Sequence, residues 1–143
     1  MAILAALRAD PMKFLRNVLR ANAAFSIFSG VLMIVGGASL GAWLGKPASV
    51  APDGIVLLVF AAVILWITRK EAVSLKAAAV IVAFDAIYVV DTARLILGGQ
   101  FSTAGNWYYG VAAIVVLDFA VLQLFGLLKA TNAGNNGTQA AIS

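Results

Sequence analysis

Hydrophobic positions run almost unbroken through four stretches of the chain, at about residues 22–44, 53–68, 77–97 and 106–128, with short polar segments between them. A bilayer core of ~30 Å needs about 20 helical residues. The second stretch reaches that length only by extending into its flanks. The stretches are continuously apolar rather than alternating, which disfavours a β-barrel. Backbone groups in lipid must be paired within their own segment. The pattern predicts an all-α protein, an integral membrane four-helix bundle.

The first twenty residues read as a separate element. Asp10 before Pro11 is a good helix start, an N-cap followed by proline at the first helical position. Beyond it, Met12, Leu15, Val18 and Leu19 fall on one face, and Lys13, Arg16, Asn17 and Arg20 on the other. This predicts a short basic amphipathic helix lying on an anionic leaflet, with Lys13, Arg16 and Arg20 at the membrane surface, before the chain turns into the first span. Docking on a protein partner is the sharper alternative. A cleaved signal peptide is not expected, because three further spans follow the first apolar run. The tail 130–143 is small, polar and almost uncharged, and is expected to be disordered. Its Asn136-Gly137-Thr138 matches a glycosylation acceptor, which means nothing on a cytoplasmic tail.

Composition sharpens the class. Of 143 residues, 63% are hydrophobic and 11% charged, and the mean hydropathy is +1.00. Soluble domains carry about 25% charged residues. With no cysteine and no histidine, thiol chemistry, iron–sulfur clusters, the usual zinc sites and a Ser-His-Asp triad are excluded. The common nucleotide-binding loops are missing. No catalytic residue, metal or cofactor is expected. Eight of the ten Lys and Arg residues fall on one side of the predicted spans, leaving Lys46 and Arg94 on the other. Both termini are therefore placed in the cytoplasm. Trp43, Trp107, Tyr108 and Tyr109 mark the outer interface and Trp66 the inner one. The net charge of +4 is read as attraction to the inner leaflet and not to nucleic acid.

Acidic residues inside the apolar stretches carry the functional signal. A charge at mid-bilayer costs at least ~2.5 kcal/mol, so Asp85 in the third stretch and Asp118 in the fourth define the candidate ligand or proton site. Consecutive antiparallel helices place them at similar depth, where two facing carboxyls would share one proton. Tyr88 and Thr92 share the Asp85 sector of their helix, and Asp91 adjoins it. Asp91 and Arg94, three apart, are expected to pair. The alternative role for Asp85 and Asp118 is hydrogen-bonded glue between helices. Gly37, Gly41 and Gly45 repeat at every fourth position, a small-residue stripe suited to close helix packing. That packing is either within the bundle or across a homo-oligomer interface.

The runs LRANAAFSIFSG, AFDAIYVVDTARLIL and WYYGVAAIVVLDFAVLQLFGLLK resemble small bacterial four-span integral membrane proteins of unknown function, over roughly residues 19–129. The resemblance implies the four-helix topology and a bacterial inner membrane, with no activity or site to carry over. Small multidrug exporters differ in placing their essential acid in the first span, where this chain has none. Two functions are in view. One is a non-enzymatic accessory or binding protein with a buried acidic site between the third and fourth spans. The other is a small oligomeric proton- or cation-coupled transporter or channel using Asp85 and Asp118. The partners expected are the lipid bilayer and either a second copy or a larger membrane complex. The absence of Gly/Pro-broken spans favours the first function.

Overall fold

The computed structural model describes residues 1–142, and the described residues form five helices. These are α1 (Ala2–Ala9), α2 (Pro11–Trp43), α3 (Ala51–Ile67), α4 (Leu75–Leu97) and α5 (Thr103–Ile142). The helix α2 packs against α3 on one side and α5 on the other, and α4 packs against α5. The backbones of α3 and α4 do not pack closely along their length. Their seam is closed at one end by a cluster that includes Ala61, Ile64, Ala78 and Ile81, beneath Leu15 and Leu19 of α2.

Asp10 caps α2 as its sequence predicts: its carboxylate accepts from the Lys13 backbone N–H at 3.0 Å, with Pro11 at the first position. The expected turn between an interfacial helix and the first span is absent, however. The helix runs on from Pro11 through the whole first apolar stretch. Phe14, Leu15, Val18 and Leu19 are buried in the protein, so the apolar face meets α3 and α5 where lipid was expected. Of the three basic residues assigned to a membrane surface, Arg20 donates instead to the Thr68 carbonyl at 2.8 Å, satisfying the C-terminal end of α3. Arg16 is half-buried beside Asp10 and Glu71, and Lys13 is exposed. The tail is helical too: α5 continues to Ile142, with residues 131–142 exposed. No proline or run of like charge interrupts it, and the Thr131 and Thr138 hydroxyls donate to carbonyls one turn back.

Two features of the glycines shape α2. Gly37 has φ 47° and ψ −125° and breaks the helix geometry there. A side chain would be strained in that conformation. The freed Gly37 carbonyl accepts from Val50 N–H, 3.3 Å away, at the start of α3. Lower down, α2 and α3 cross at Gly30 and Gly54, where a Cβ on Gly30 would stand 2.7 Å from the Gly54 carbonyl oxygen. Gly41 and Gly45 press on the 46–50 and 101–102 segments of the same chain. Gly41 and Gly45 thus make close backbone contacts within the molecule.

Two helices, α2 and α5, are long and apolar enough to cross a membrane. At 17 residues α3 falls just short in length, and α4 carries Lys76, Asp85, Asp91 and Arg94 within 23 residues. All four of these helices present large apolar side chains outward, among them Phe28 and Val35, Val56 and Trp66, Ile87 and Val90, and Ile114 and Phe125.

Candidate functional site

The inward face of α4 is Ala78, Ile81, Asp85 and Thr92, a helical spacing that points one acid into the bundle. Asp85 is buried. Its Oδ2 accepts from Asn22 Nδ2 of α2 at 2.8 Å and from Gln123 Nε2 of α5 at 3.1 Å. Both amides are fully buried or nearly so, and hydrogen bonds to a carboxylate are among the stronger ones. Three helices are therefore tied at one oxygen. Asp85 Oδ1 receives no hydrogen bond from the described residues. Gln123 commits its amide nitrogen to Asp85 and leaves its own Oε1 buried and unpartnered, which costs on the order of 1–3 kcal/mol.

Asp85 lies on the wall of a cavity of about 230 Å³ between α2, α3, α4 and α5. Asn22, Ser26 and Ser29 supply its other polar groups from α2, while Phe25, Phe60, Phe84, Tyr88 and Tyr108 make it strongly aromatic. Phe60 of α3 and Phe84 of α4 meet edge to face across the open α3–α4 seam, their centroids 6.5 Å apart. Phe84 and Val56 carry this wall out to the bundle surface, where both are exposed.

The structure brings together only part of the predicted site. Tyr88 lines the cavity, and Thr92 is buried one turn further along. Asp91 is exposed and pairs with Arg94 as expected, through contacts of 2.8 and 3.1 Å to one carboxylate oxygen. Asp118 does not face Asp85. It is exposed, with no hydrogen bond or ion pair among the described residues. The reason lies in register. The hairpin sets Asp85 opposite Gln123, five residues beyond Asp118, and five helical residues rotate a side chain by about 140°. With Gln123 inward, Asp118 points out, and the shared two-carboxyl site is not formed.

Asn22 and Gln123 were the missed members. Each is an amide within or at the edge of an apolar run, and such a group needs a partner in a helix interface. That was the available signal. No known protein family, curated protein or solved structure matches the chain.

Proposed function

We propose that this protein is a non-enzymatic, four-span integral membrane protein of a bacterial inner membrane, with both termini cytoplasmic, whose function is to bind a small molecule in the cavity beside Asp85. The observation that carries this reading is the Asp85 carboxylate itself. Two amides from two other helices hold one of its oxygens, while the other is unclaimed on an aromatic cavity wall. Apolar pockets with a few convergent polar groups are the usual form of small-molecule sites. The outward apolar faces of α2 to α5 support the four-span arrangement, since soluble monomers rarely expose large contiguous apolar surface. The two short or charged helices fit as well. Two amides hold Asp85 Oδ2 inside the bundle, Arg94 pairs with Asp91, and the 17 residues of α3 fall just short of a full span.

A carrier or channel using two facing acids loses its basis with Asp118 outside. The test is a cysteine at Ser29 on the cavity wall, in a chain with no other cysteine. In reconstituted membranes, benzene should slow modification of Cys-substituted Ser29→Cys by a small permeant thiol reagent in a saturable way. The same proteoliposomes should show no proton or alkali-cation flux above protein-free ones. Unchanged modification rates would remove the binding cavity. Flux abolished by Asp85→Asn would replace binding by transport.

A further inference from the structure

The chemistry of the cavity also defines what it would hold. This inference rests on the binding function proposed above and adds the ligand class. Asp85 Oδ2 is occupied by two neutral amides, and no cation of the chain reaches the carboxylate. The ion pairs among the described residues are Lys46–Asp53 and Asp91–Arg94. The unclaimed Oδ1 is therefore a lone acceptor on a carboxyl group that lines a space walled by aromatic rings. A charge-assisted N⁺–H···O⁻ bond is roughly twice as strong as a neutral one, and aromatic faces within about 6 Å attract cations. A metal ion is a poor match, because no cluster of three metal-ligating side chains occurs among the described residues, and hard cations demand about six oxygen ligands. One carboxylate matches one positive charge.

Size and access narrow the class further. A cavity of about 150 Å³ accommodates benzene, so 230 Å³ leaves room for an aryl ring with a short arm. At the α3–α4 seam the cavity-lining Val56 and Phe84 are exposed, so the cavity wall reaches the bundle surface there. We infer that the ligand is a monovalent organic ammonium with a compact aryl or alkyl body, its N–H on Asp85 Oδ1 and its body against Phe25, Phe60 and Tyr108, admitted from the side between α3 and α4. The Ser26 and Ser29 hydroxyls on the same wall offer acceptors for the ammonium's remaining hydrogens.

The test compares phenethylammonium with propylbenzene, its neutral isostere. Binding to the full chain in phosphatidylcholine nanodiscs is measured by calorimetry, with empty nanodiscs subtracted. The ammonium should bind at least tenfold more tightly than propylbenzene. Asp85→Asn, checked for folding by circular dichroism, should remove that preference, so that the two probes bind alike. Equal binding of the two probes to the unmodified chain would overturn the ammonium assignment while leaving a binding cavity in place. Failure of both probes would overturn the cavity as well. Should Asp85→Asn not fold, two cavity variants decide. Ala112→Phe fills the space without touching the carboxylate and should exclude both probes. Phe60→Leu keeps the apolar wall but loses a ring, and should lower the ammonium preference several-fold. Retention of full ammonium binding in Ala112→Phe, or of the full preference in Phe60→Leu, would count against the assignment.

Discussion

A carboxylate can be placed in a helix by sequence, but which way it points is decided by a rotation of a few residues. Asp85 and Asp118 look alike as isolated acids in apolar runs. The structure buries one among donors and leaves the other exposed. Their substitutions should therefore differ. Asp85→Leu deprives Asn22 and Gln123 of their acceptor within a closed space, leaving two buried donors at about 1–3 kcal/mol each. A loss of roughly 2–5 kcal/mol in detergent denaturation is expected on that basis. Asp85→Asn keeps an acceptor oxygen at the same place and should lose less than half of that. Asp118→Leu removes an exposed polar group from an apolar face and should leave stability unchanged or raise it. Comparable destabilisation by the two leucine variants would mean that Asp118 is packed inside after all. Asp91 and Arg94 were legible because their partnership is local to one helix surface. The Asn22–Asp85–Gln123 set spans three helices, and its register is fixed by packing, which no local spacing encodes.

At the scale of elements, the same amphipathic pattern serves two environments. The face of Phe14, Leu15, Val18 and Leu19 would suit a lipid surface equally well. What turns it inward is the presence of α3 and α5 at that height, with Leu15 and Leu19 fully enclosed. The existence of the helices was legible from continuous hydrophobicity, and the Asp10-Pro11 start from cap chemistry. The continuation of α2 past residue 20 was not, because no residue there breaks or forbids helix. Glycine roles follow the same logic. Gly30→Ala should cost on the order of 1–3 kcal/mol, since the new methyl meets the Gly54 backbone and not a movable side chain. Gly134→Ala, with nothing within 4 Å, should instead gain up to about 1 kcal/mol of helix propensity. Paired thermal melts followed by circular dichroism separate the two. A Gly30→Ala protein as stable as the parent would mean that α2 and α3 do not cross so closely.

For the molecule as a whole, four outward apolar faces and one internal acid held by two buried amides fit the lipid-embedded bundle proposed above. On that reading lipid solvates the faces, and the interior supplies the polar partners. The same reading predicts an orientation from charge: the 69–76 segment carries Arg69, Lys70 and Lys76, while the 98–105 segment carries no basic residue. The side rich in Lys and Arg is retained in the cytoplasm. Because the chain has no cysteine, single substitutions report without background. Gln100→Cys and Glu71→Cys are both at exposed positions in short connections, so neither should disturb packing. In intact cells an impermeant maleimide should modify Gln100→Cys and spare Glu71→Cys, with both reacting after permeabilisation. The reverse pattern would invert the bundle and place Arg69, Lys70 and Lys76 outside. Modification of neither before permeabilisation would place both connections on the same protected side, and with them the two-hairpin, four-span topology would fall.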